Sequence, residues 1–136
     1  MDLGLGGFLN SPSEYGKHKV PTLRNVDKRS YPTFVKAYGH NGYFKSLESI
    51  VHFYNTRDVL PVCSEPLATG NIPGDDCWPA SEFSETVNKK DLGNLGLSSE
   101  EEAYIVAFLK ALSDGWRPDT TKPHATQNAK KASRYR

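Results

Sequence analysis

The segment from Lys17 to Asn55 concentrates the side chains best suited to holding a ligand. It carries Tyr31, Phe34, Tyr38, Tyr43, Phe44, Phe53 and Tyr54, together with Arg24 and His40. Aromatic rings supply flat apolar surface, and a guanidinium grips carboxylates through a planar fork. Arg24 and His40 are expected to lie buried among the rings. The set suits a flat ligand bearing carboxylates. It also describes an aromatic core with a solvated arginine, and on residue chemistry alone that plainer reading is favoured.

Other chemistry is sparse. There is no GxSxG, no HExxH and no P-loop. The glycines of LGLGG, Leu3 to Gly7, lack the third glycine, preceding strand and following helix of a dinucleotide fingerprint, and read as a flexible opening. The four histidines, His18, His40, His52 and His124, are not spaced as ligands on one helical face. Cys63 and Cys77 are separated by thirteen residues, so the chain has no CxxC and cannot alone build a four-cysteine metal site. In an oxidising compartment they would close a loop worth ~3 kcal/mol in the chain-entropy model. In the cytosol they would stay thiols.

Two helices must position these residues. Ser46 is a good N-cap for a helix from Ser46 to Tyr54, with Glu48 favoured by the dipole in the first turn. Leu47, Ile50, Val51 and Tyr54 repeat as one apolar stripe, His52 falls off it, and Asn55 is a plausible stop. The second helix runs from Ser99 to Ser113. Ser99 with Glu102 forms a capping box, and Ile105, Phe108, Leu109 and Leu112 make the stripe. Gly115 would end it, with Trp116 folding back. Ser11 to Tyr31 reads as extended chain or loop, with at most a short helical turn after Thr22. Thr56 to Gly96, with four prolines between Pro61 and Pro79, reads as one long loop of the kind that is often functional. No alternating run supports a sheet, so the fold class is all-α with few helices and long loops. Two such helices give a thin core, to be completed by a partner chain, a missing segment or a bulky cofactor.

The length of 136 residues fits one domain. With 37% hydrophobic residues and a formal net charge of +1, most of the chain should fold. No apolar stretch approaches the ~20 residues needed to span a bilayer, and the first residues do not read as a signal peptide. Residues 116–136 carry Arg117, Lys122, Lys130, Lys131, Arg134 and Arg136 against Asp119, a segment charge of +5, which leaves −4 on the remainder. Without Ile, Leu, Val or Phe, that segment is expected to be a disordered basic tail on a domain of residues 1–115. No aromatic-interleaved basic patch points to nucleic acid.

Three segments in fixed order bear a resemblance. They are VPTLRNV (Val20 to Val26), AYGHNGYFKSLESIVHFYN (Ala37 to Asn55) and LGLSSEEEAYIVAFLKALSDG (Leu95 to Gly115), preceded by DLGLGGF. The chain resembles the C-terminal part of the C-terminal haem domain in the bacterial dihaem cytochrome c peroxidase and MauG family. Members of that family read P-T/S-L-R-N-V, then P-Y-F/M-H-N/D-G-S, then T-L-E-E-V-V-x-F-Y-N. They end in L-T/S-x-x-E-x-x-x-I-V-A-F-L-K-T-L.

The resemblance implies an incomplete class I cytochrome c fold, with the last helix packed across an N-terminal one. It implies haem c, held on this chain by Arg24 at a propionate together with Pro21, Leu23, Asn25, Tyr38 and His40. Tyr54 would take the distal axial position, with His40 as the alternative; a phenolate there lowers the iron's potential and a thioether raises it. It further implies a periplasmic or otherwise exported location, electron transfer, and a redox-partner cytochrome. Peroxidase or other oxidoreductase activity would arise only in a larger assembly. Three departures stand out. Gly39 occupies the site of the usual Phe or Met, the Thr56–Gly96 loop is long, and CxxCH is missing, so that a CxxCH-bearing segment or subunit would have to be supplied. The alternative is a haem-free interaction module derived from such a domain.

Overall fold

The computed structural model describes residues 1–117. It holds three α-helices, α1 (Gly4–Leu9), α2 (Leu47–Thr56) and α3 (Ser99–Ala111), and a 3₁₀ turn at Pro12–Glu14. No strand occurs among the described residues, only isolated bridges such as Tyr38 with Phe44 and Val62 with Trp78. The all-α expectation therefore holds in that the described residues form a few helices joined by long loops, with no strand. The basic tail, from Pro118 on, lies outside the described residues.

The α2 helix begins where capping chemistry dictates. Ser46 is extended, and its Oγ accepts the Ser49 N–H at 3.0 Å. Asn55, expected as a stop, lies inside the helix and is buried. At the start of α3 the capping box sits one residue earlier than expected. Ser98 and Glu101 exchange the two reciprocal bonds. The run SSEEE offers two registers, and packing selects between them: with Glu101 used by the cap, Glu102 points at α2. The helix ends at Ala111, short of Ser113. Leu3 to Gly7 is not a flexible opening but mostly helical, and Gly6 is buried where any Cβ would strike Tyr15. After Thr22 come two hydrogen-bonded turns, closed by the Val26 N–H to the Leu23 carbonyl (3.1 Å) and the Lys28 N–H to the Asn25 carbonyl (3.0 Å), and Asn25 at φ 62° keeps them from forming a helix.

The helix that α3 meets is α2, and the two run antiparallel, with Glu48 near Lys110 and Asn55 near Glu102. Tyr38, Leu47, Val51 and Val106 form the core, with Val26, Phe44, Ile50 and Leu109 packed on it. The long loop contributes more than connection. Cys63 and Cys77 form a disulfide, and Cys77 and Trp78 are buried. Arg57 ties the loop back to α2, its Nη2 donating to the carbonyls of Asn88 (2.7 Å) and Leu92 (3.1 Å). No described helix is long and apolar enough to cross a membrane.

Candidate functional site

The α2–α3 pair has two unlike flanks. On the first, Glu102 is a shared acceptor. His52 Nδ1 lies 3.1 Å from both of its carboxylate oxygens, and Asn55 Nδ2 donates to Oε1 at 2.5 Å. Asn55 also donates to the Leu97 carbonyl (2.9 Å) and accepts the Leu97 N–H (3.0 Å). It is 5% exposed, and its amide is fully used, as burial requires. The Lys110–Glu48 pair at 2.8 Å extends this flank and holds the Glu48 carboxyl below the usual carboxylate range.

The second flank follows from helical register. Ile50 and Tyr54 lie on the side of α2 away from Glu48 and His52, and Ile105 and Phe108 on the side of α3 away from Lys110. Here Tyr54 is 39%, Ile105 37% and Phe108 60% exposed. Leu95, whose N–H bonds the Asn55 carbonyl, adds another exposed apolar chain at the Tyr54 end. The Tyr54 phenol oxygen has no hydrogen-bond partner among the described residues.

The other end of α3 receives the LRN segment. Arg24 donates from Nε and Nη2 to the Asp114 carboxylate (3.2 and 3.1 Å), and Asn25 Nδ2 donates to the same group at 3.0 Å. Asn25 Oδ1 accepts the Asp114 N–H, and the Asn25 N–H bonds the Leu112 carbonyl. Arg24 first, then Asn25, holds the Asp114 carboxyl below its ordinary range. Arg24 is thus exposed rather than buried, because its charge is matched by a carboxylate at the surface.

The remaining expected residues divide. Tyr38 is buried core; its hydroxyl lies 3.5 Å from Asp27 Oδ1, and burial with that neighbouring charge pushes the phenol up. Pro21 and Leu23 are exposed, and Asn25 is half-buried. His40 is exposed and stacks on His18 at 3.9 Å, outside the ring cluster. That cluster consists of Tyr43, Phe44, Phe53 and Tyr54 around Trp78, whose Nε1 donates to Thr56 Oγ1. Tyr31 and Phe34 form a separate pair. Sequence reasoning missed Trp78 and the Asn55–Glu102–His52 network. The spacing of His52 and Asn55 on one face of α2 was the only available signal.

Comparison with known proteins adds a lineage. The chain is 30% identical over 107 residues to the methylamine utilization protein MauG of Paracoccus denitrificans (strain Pd 1222), covering 78% of this chain. It is 27% identical over 113 residues (83% of the chain) to a cytochrome-c peroxidase of Pseudomonas sp. (strain SCT), and 30% over 135 residues (93%) to one of Denitromonas iodatirespirans. The chain is related to the cytochrome c peroxidases and MauG. It spans about a quarter of their length, covering 25% of MauG and 22% and 28% of the Pseudomonas and Denitromonas peroxidases. No protein-family model and no solved structure matches it.

Proposed function

We propose that this chain is the distal part of a class I cytochrome c-type domain that takes part in haem electron transfer, its CxxCH supplied by another segment or subunit. The observation that carries the reading is the open flank of α2 and α3. Ile105, Phe108 and Tyr54 stand exposed beside the core, and each Å² of apolar surface left in water forgoes about 25 cal/mol. Among the described residues twenty large hydrophobic side chains are exposed and six hydrophobic residues are buried. Large contiguous apolar patches are uncommon on soluble monomers.

The donors present fit one side of an iron porphyrin. Apolar chains would cover the ring, the Tyr54 phenol would serve as distal ligand, and Arg24 would pair with a propionate. Arg24 Nη1 has no partner among the described residues, so a propionate could join Asp114 on the guanidinium. Leu23 and Pro21 would border that end, with Asn25 holding the loop. Tyr38 supports the fold from the core, and His40, stacked on His18, fits an iron ligand poorly. Bound there, haem supplies one-electron chemistry whose potential the axial ligand tunes. Peroxide reduction or another oxidation belongs to the larger assembly. The Cys63–Cys77 disulfide supports an exported, periplasmic setting.

The test is the absorption spectrum of the complete assembly. A Soret band is expected, with covalent haem on the CxxCH-bearing piece after denaturing electrophoresis. A complete assembly without haem absorbance would overturn the reading and favour a haem-free interaction module.

A further inference from the structure

Three side chains outside the open flank converge. Asp2, His18 and His40 each present a ligand atom, and these atoms lie within 4.8 Å of one another. His18 Nε2 is 3.9 Å from Asp2 Oδ2, and the two imidazoles stack with their planes 13° apart. Two imidazoles and a carboxylate are the donor types that first-row divalent cations prefer. A tetrahedron with bonds of about 2.0 Å has an edge of roughly 3.3 Å, so an ion would draw the three ligand atoms closer and turn the stacked imidazoles toward it.

The three ligands come from separate segments, each fixed by its own backbone bonds. The Asp2 N–H donates to Glu82 Oε2 (2.9 Å), and Asp2 Oδ1 accepts the Gly4 N–H (2.9 Å). The His18 segment is held by Leu5 N–H to the Lys17 carbonyl (2.8 Å) and Gly16 N–H to the Leu3 carbonyl (3.1 Å). Gly4 has a positive φ of 51°, and a Cβ there would collide with the Lys17 carbonyl and press within 3.2 Å of His18. His40 sits in the Gly39–Gly42 turn, closed by an N–H to carbonyl bond of 3.2 Å and flanked by the Tyr38–Phe44 bridge. All three residues are exposed, so a hydrated cation reaches them directly.

We propose that Asp2, His18 and His40 form a binding site for a divalent transition cation of the zinc class, with water completing the coordination. The site clips the N-terminal segment to the His40 turn and is independent of the haem reading. It assigns His40 to this cation rather than to an iron.

The test titrates the purified full chain with Co²⁺, then with Zn²⁺. Tetrahedral Co²⁺ bands saturating at one ion per chain and displaced by Zn²⁺ are expected. His18→Ala and His40→Ala should each weaken binding by at least about tenfold, whereas His52→Ala should leave it unchanged. Circular dichroism of the metal-free variants checks their fold. In the wild-type chain, Co²⁺ should selectively shift the ring-proton resonances of His18 and His40 but not His52. No saturable binding, unchanged binding in the His18→Ala/His40→Ala double variant, or no selective shift would overturn the site.

Discussion

On one flank of the α2–α3 pair, every polar group that burial isolates is matched: Asn55 grips both sides of Leu97, and Glu102 gathers His52 and Asn55. On the other, Tyr54, Ile105 and Phe108 stand exposed with nothing polar to tie them. The same two helices supply both flanks, so propensity and capping do not explain the contrast. The first flank is finished by this chain alone. The second has the composition of an interior without a covering layer. A stable fold and an uncovered surface can share one helix because α3 needs only the Val106 side for its packing on α2.

The largest effect should come from the finished interior. Leu47 is 1% exposed, and Leu47→Ala should cost about 2–5 kcal/mol by lost burial and cavity formation. Phe108→Ala, although it removes more carbon, should change the stability of the isolated chain by no more than about 0.5 kcal/mol. Chemical denaturation of both variants measures the difference. Equal costs would mean that the second flank is covered within this chain.

Next comes the polar clamp. Asn55→Ala strands the Leu97 N–H and carbonyl and should cost about 1–3 kcal/mol. Denaturation midpoints check it, and a neutral outcome would show that water replaces the amide.

The smallest effect concerns Asp114. Its carboxyl titrates lower in the folded chain than in the unfolded one, chiefly through Arg24. A group so depressed stabilises the fold above its unfolded value of about 3.9 and loses that contribution as pH falls through the folded value. The pair is exposed, so the acid-side fall in thermal midpoint should be slight, and Asp114→Asn should flatten it. An unchanged pH profile in the variant would remove this pair from the account.

Local chemistry was legible in the sequence. The Ser46 cap, the Leu47–Val51 face and the all-α class follow from side chains read a few residues at a time. The α3 register was not, because SSEEE satisfies two capping boxes and the choice depends on His52 and Asn55, more than forty residues away. Arg24 misled for a related reason. Its partner Asp114 is ninety residues distant, and no spacing rule reports that a surface carboxylate will meet it. Trp78 looked like loop because burial in an aperiodic segment leaves no pattern. The likeness to the cytochrome c peroxidases and MauG was readable from motifs in order.

We propose that the open flank would face haem, with Tyr54 on the distal side of the iron. The direct measurement is the ferric absorption spectrum of the complete haem-containing assembly, with and without Tyr54→Phe. Removal of the phenolate should alter the ferric spectrum while the haem content stays the same. An identical spectrum in the variant would contradict Tyr54 as the ligand.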